Sequence, residues 1–256
     1  MGYPSVVELS FGDEKVSQST KIGGLPLGIR GILPDGREFV HAKAAATLGI
    51  GTHVVQKAVA GTSVNVVAGA SAAIGATTVV LTMPATTLIT VANQYADGYL
   101  ATNDATGEGY TYKIKTSNTA AASGTATFTL EPNDAIKVAL VSGTSECTIR
   151  ENEFYNVLAR AAGTTAVGIP AGVPQVPVSA DYYCWLQRRG PATLLAGGTL
   201  MTTGRPFAAC TVEASFQAWV AAPADTTTAP VSEPLGYCMV APAASTEYFL
   251  GYLQLD

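Results

Sequence analysis

The chain has 256 residues, of which 48% are apolar and 13% charged, and a formal net charge of −5. An average globular domain carries about 25% charged residues, so a surface this poor in them, and rich in Ala, Thr, Gly, Ser and Val, is suited to burial in contacts rather than to repelling neighbours. The acidic balance excludes nucleic acid as the main partner, because neutralising phosphates takes clustered Lys and Arg.

Residues 1–22 are polar and mixed, with Glu8, Asp13, Glu14 and Lys15, and hold no sustained helical or strand period. They read as an extended arm. A basic start followed by an apolar stretch is missing, which predicts no secretory signal and no oxidising compartment.

Residues 23–60 read as the start of a β core. Gly23 to Gly28 is punctuated by glycine and proline, which no helix tolerates. Ile29–Leu33 and Glu38–His41 then flank Pro34-Asp35-Gly36-Arg37, a hairpin signal in which proline presets φ and glycine supplies a positive one. Ala42 to Leu48 is the best short helix candidate, stopped by Gly49 and Gly51.

Residues 61–157 read as a β module. Val64 and Val66 alternate with Ser63 and Asn65, and Ala126, Phe128 and Leu130 alternate with Thr125, Thr127 and Thr129, the period of strands that bury one face. Val54 to Val91 carries one charge, Lys57, but Gly61, Gly69, Gly75 and Pro84 break it, and its Thr, Ser and Asn exclude a bilayer span. The clearest hairpin joins Asp97–Thr102 to Gly109–Lys115 through the turn-rich loop 103–108.

Residues 158–256 read as a C-terminal meander or barrel that completes the core. Gly168 to Pro174 spaces its prolines as a linker or edge. Strands follow at Gln175–Val178 and Asp181–Gln187, Gly190-Pro191 turns the chain into Ala192–Ala196, and Arg188–Arg189 reads as a solvated pair at a strand end. Gly197, Gly198 and Gly204 punctuate the meander, a Thr- and Pro-rich loop covers Pro223 to Pro234, and Tyr248–Leu255 is an apolar strand that must be tied into a sheet. The whole predicts an all-β fold: a sandwich or barrel with an additional β module, an extended N-terminal arm and very little helix.

Little in the chain points to catalysis. Nucleophilic hydrolysis needs a base beside the nucleophile, and the two histidines, His41 and His53, read as polar edge residues. Gly69-Ala70-Ser71-Ala72-Ala73 lacks the second glycine of a nucleophile elbow, and Gly49, Gly51, Gly69 and Gly75 form no phosphate loop. Asp97, Asp104, Glu108, Glu151 and Glu153 read as turn caps rather than paired catalytic acids, and loop 103–108 as an Asx-type turn rather than a Ca²⁺ loop. Cys147, Cys184, Cys210 and Cys238 lie far apart, which predicts free buried thiols rather than disulfides or zinc. No catalytic, cofactor-binding or metal-binding residue is expected. Tyr99, Tyr110, Tyr112, Tyr182, Tyr183 and Trp185 are the candidate interaction side chains, serving core or interface.

Asn93-Gln94-Tyr95-Ala96-Asp97-Gly98-Tyr99-Leu100, with Gly107-Glu108-Gly109-Tyr110-Thr111-Tyr112-Lys113-Ile114 after it, resembles segments of virion structural proteins of tailed bacteriophages. So does Tyr182-Tyr183-Cys184-Trp185-Leu186-Gln187-Arg188-Arg189-Gly190-Pro191-Ala192, and Leu27-Gly28 through Pro34-Asp35-Gly36-Arg37-Glu38-Phe39-Val40 resembles the opening of capsid decoration, or cement, proteins. The resemblance implies a β-rich subunit without an active site or cofactor. It implies a homotrimer on the capsid exterior, assembled in the host cytoplasm and bound to the major capsid protein, with neither nucleic acid nor membrane as partner. The other expectation is a tail-fibre or surface adhesin β-domain that binds carbohydrate.

Overall fold

The computed structural model describes residues 6–57, 63–86, 89–162, 168–198, 200–212, 214–219 and 233–255. The fold is all-β, and no α-helix occurs among the described residues. In chain order the strands are β1 (Val6–Glu8), β2 (Ser17–Gln18), β3 (Arg30–Ile32), β4 (Glu38–Lys43), β5 (Val54–Val55), β6 (Val66–Val67), β7 (Thr78–Thr82), β8 (Tyr99–Asp104) and β9 (Thr111–Ser117). They continue as β10 (Thr125–Leu130), β11 (Glu146–Arg150), β12 (Leu158–Ala159), β13 (Pro170–Pro174), β14 (Tyr183–Leu195), β15 (Pro206–Ala209), β16 (Phe216–Ala218), β17 (Gly236–Val240) and β18 (Tyr248–Gln254). The chain forms two compact units, one from Met1–Ala58 with Phe154–Asp256 and one from Val59–Glu153.

The second unit is a six-stranded sheet in the order β6-β11-β8-β9-β10-β7. The isolated Ala68–Leu81 bridge brings its two ends together into a near-barrel, with the Gly69 N–H donating to Val80 O at 2.9 Å. Alternation places Leu100, Tyr112, Ile114, Ala126, Phe128, Cys147 and Ile149 in its core, while the intervening threonines and lysines face out.

The first unit is built on a larger sheet whose main path runs β1-β3-β4-β14-β18-β17-β15-β16. Its organising element is β14, thirteen residues long. The N-terminal half of β14 pairs with β4 and the C-terminal half with β18. Gly190, at φ 94, bends the strand where one partner gives way to the other. Gln187 staples the bend by donating from Nε2 to Arg189 O at 3.1 Å and Pro191 O at 2.8 Å. Gly190-Pro191 is therefore a bend within one strand and not a turn between two. Arg188 and Arg189 lie inside this strand, not at its end: Arg188 donates to Ala171 O at 3.1 Å and Arg189 meets Glu38 at 3.4 Å.

Four sequence expectations change. Residues 6–18 are extended but docked, because β1 pairs parallel with β3, β2 pairs with β14, and Leu9 is buried against Trp185. A Cβ on Gly31 would meet Leu9 Cδ1 at 2.6 Å, so the missing side chain of Gly31 is the space Leu9 fills. Residues 42–48 form no helix: Ala42, Ala44 and Leu48 are fully buried at two-residue and four-residue steps, and Ala44 and Leu48 bridge Val157 and Val178. Pro170–Pro174 is an internal strand between β5 and β14, tolerated because its prolines sit at its two ends. Phe154 and Val157, expected in the inserted module, belong to the core of the first unit. The Thr- and Pro-rich stretch falls outside the described residues from 223 to 232.

Candidate interaction surface

The strand β18 is apolar at nearly every position, Tyr-Phe-Leu-Gly-Tyr-Leu-Gln, yet the described residues cover only one of its faces. Phe249 and Leu253 turn inward to a core with Leu194, Phe207 and Phe216. There the rings of Phe207, Phe216 and Phe249 meet edge to face at 5.4 to 6.5 Å. Gly251 also faces inward, and a Cβ on it would meet Leu194 at 2.7 Å and Phe207 at 2.9 Å. The alternation that buries these residues forces Tyr248, Leu250 and Tyr252 to the opposite face.

Register extends this outer face across three strands. Tyr252 stands between Pro191 of β14 and Tyr237 of β17, and Leu250 between Thr193 and Val240. Tyr248 stands beside Leu195. A bulge between Cys238 and Val240 brings Met239 to the surface as well. Tyr237, Tyr248 and Val240 are each more than half exposed, at 51%, 52% and 58%. The array of Pro191, Thr193, Leu195, Tyr237, Val240, Tyr248, Leu250 and Tyr252 contains no charge. At its ends stand Arg189, opposite Gln254 and paired with Glu38, and Glu247, whose carboxylate accepts from the Ala243 and Ala244 N–H groups, while Arg205 lies beside β17.

The six aromatic residues expected to make contacts are not brought together here. Tyr99, Tyr110 and Tyr112 belong to the barrel, and Tyr182, Tyr183 and Trp185 to the larger unit. Tyr112 and Trp185, each 1% exposed, are core residues and present no surface, a correction that follows from strand alternation. Tyr110 is exposed and stacks on Tyr112 at 6.3 Å, while Tyr99 lies under Lys113 Nζ at 3.9 Å from its ring centroid. Tyr182 and Tyr183 are half-buried, and Tyr183 stacks on His41 at 5.7 Å.

Sequence reasoning overlooked Tyr237, Tyr248, Leu250 and Tyr252. The available signal was the run of apolar residues in both phases of Tyr248–Leu253, which marks a strand that needs cover on both faces.

Both histidines are buried, not at edges. His41 is 0% and His53 2% exposed. His41 Nδ1 lies 3.1 Å from Pro26 O and carries the proton, since a carbonyl only accepts. Among the described residues neither ring nitrogen of His53 has a hydrogen-bond partner, and burial, with the nearby Arg160 cation second, lowers its pKa to about 3. All four cysteines are free and buried. Burial raises the Cys184 thiol to about 12 and the Cys147 thiol to about 11, the latter against a weaker opposing hydrogen bond to Thr102.

In loop 103–108, Asp104 Oδ1 accepts from the Ala105 N–H at 2.8 Å, and Thr106 O accepts from Ser145 Oγ at 2.7 Å. Among the described residues no three His, Cys, Asp or Glu side chains are grouped to hold a metal ion. No helix of the described residues is long and apolar enough to cross a membrane.

No protein-family model, no curated protein and no solved structure matches the chain. The uncharged β14–β18–β17 face is thus the feature from which function has to be read.

Proposed function

We propose that this chain is a non-enzymatic structural protein of a virion, a capsid decoration or cement protein that binds and reinforces the shell through protein–protein contacts. The observation that carries the reading is the outer face of β14, β18 and β17, a sheet surface composed like a protein core but exposed. Tyrosine-rich, charge-poor surfaces are the ones proteins bury in interfaces. The low overall charge supports the same reading, as do the segments that resemble tailed-phage virion proteins. The partner on this reading is the major capsid protein, the place the exterior of the shell, and the subunits associate with one another.

The test is co-sedimentation of the purified chain with shells that lack it. Saturable binding and a rise in the temperature at which the shells rupture are expected. A chain that stays in the supernatant at every concentration overturns the reading.

A second reading is favoured by one observation: Tyr237 and Tyr252 are exposed neighbours on one sheet face, and sugar rings stack on exposed aromatic side chains. A surface adhesin of this kind would bind glycans as an isolated subunit, and Tyr252→Ala would weaken that binding; a chain that retains no glycan overturns this second reading.

A further inference from the structure

We infer that the β14–β18–β17 face is covered by a second copy of this chain, packed sheet on sheet across a two-fold axis; this rests on the reading of the chain as a protein that works through protein contacts.

Area, charge and symmetry each support a second copy as the occupant. A fully covered aromatic side chain buries about 150–250 Å², so three half-exposed tyrosines and their aliphatic neighbours offer about 500 Å² per copy. Two such faces bury about 1,000 Å² together, the lower bound for a specific interface. Each chain carries a net charge of −5, so two copies repel unless they meet where charge is absent, and this face holds none. Face-to-face sheets with aligned strands pack through alternating side chains of this kind.

The charges at the two ends fix the direction of the axis. Arg189 lies at the Gln254 end of β18 and Glu247 precedes Tyr248 at the other end. An axis perpendicular to the strands sets the two β18 strands antiparallel. Arg189 of each copy then approaches Glu247 of the other, and both ends are complementary. An axis along the strands would place like charges together. Leu250, in the middle row between Thr193 and Val240, lies nearest the perpendicular axis and meets its own counterpart. This two-fold arrangement replaces the trimer that the family resemblance implies.

Sedimentation velocity on the full chain tests the inference. The wild type is expected to be a dimer, and Tyr248→Glu with Leu250→Glu a folded monomer, because both side chains point away from the core. Arg189→Gln, which sets no carboxylate against Glu38, is expected to weaken the dimer by about tenfold, about 1.4 kcal/mol. Should the acidic double variant fail to fold, Leu250→Cys supplies an independent measurement, since the native thiols are buried: mild oxidation is expected to give a disulfide-linked dimer. A wild-type monomer or trimer, or a Leu250→Cys chain that does not cross-link, overturns the inference. Shell co-sedimentation judges the structural reading separately, because a monomer that still binds shells leaves that reading standing.

Discussion

Tyr237 on β17 stands directly across from Tyr252 on β18, with both side chains on the outer face, while the next pair along, Cys238 and Gly251, turns inward. One register thus produces two opposite surfaces. The inner one explains the outer one: Phe249 and Leu253 are locked into the phenylalanine core, so their neighbours have no freedom to withdraw from solvent.

Gly251 should be a sensitive position in this arrangement. Alanine there adds a methyl into a space bounded by Leu194, Phe207 and Phe249, all within 3.0 Å of the new carbon. Overpacking of a filled core costs about 1–3 kcal/mol. Urea denaturation should show Gly251→Ala shifted to lower denaturant; an unchanged midpoint would show that the space admits the methyl group.

The N-terminal segment should behave as part of the fold. Leu9 fills the space over Gly31 against Trp185, and Glu14 is buried where Gly12 N–H donates to it, with Arg37 at 3.8 Å. Truncating a buried leucine to alanine costs about 2–5 kcal/mol. Leu9→Ala and a deletion of residues 1–20 should both lower the thermal midpoint, whereas an arm free of its own chain would be removed without effect.

How far the sequence foretold this depends on the residue. The Tyr99–Lys113 hairpin was legible because a turn-rich loop separates two alternating runs, and it pairs Tyr99 with Lys113 as antiparallel neighbours. Ala42 to Leu48 was not, since helix propensity is a weak local preference that two bridges to distant segments override. The placement of Trp185 in the core and of Tyr252 on the surface depends on which neighbour each strand acquires, and pairing partners so far apart in sequence leave no local mark. The two-faced apolar pattern of Tyr248–Leu253 was visible; that the described residues cover only one face was not.

The inserted barrel should be separable. Leu158 pairs with Val55 and Ala159 with Val54, so the segments that flank residues 59–153 are themselves strand neighbours. Replacing 59–153 by a short turn would leave a hairpin in their place. Both the isolated barrel and the shortened chain are expected to unfold cooperatively with β-type circular dichroism; loss of structure in either would show that they fold as one.

His53 should make stability depend on acid. Its ordinary pKa of 6.5 falls to about 3 in the folded chain, so the unfolded chain binds the extra proton between those values. The stabilisation is complete above about pH 6.5 and declines as the pH falls toward about 3, by up to about 1.4 kcal/mol per pH unit. His53→Phe should flatten the urea-midpoint profile over that window; an unchanged slope would place the acid sensitivity elsewhere.

On the proposed reading the chain serves a virion shell, with the face formed by β14, β18 and β17 buried between protein surfaces. Electron cryo-microscopy of the intact particle tests this most directly. The account predicts density for this chain on the capsid exterior, with Tyr237, Tyr248 and Tyr252 covered by protein. A particle whose shell lacks the chain, or one that carries it with this face open to solvent, would contradict the account.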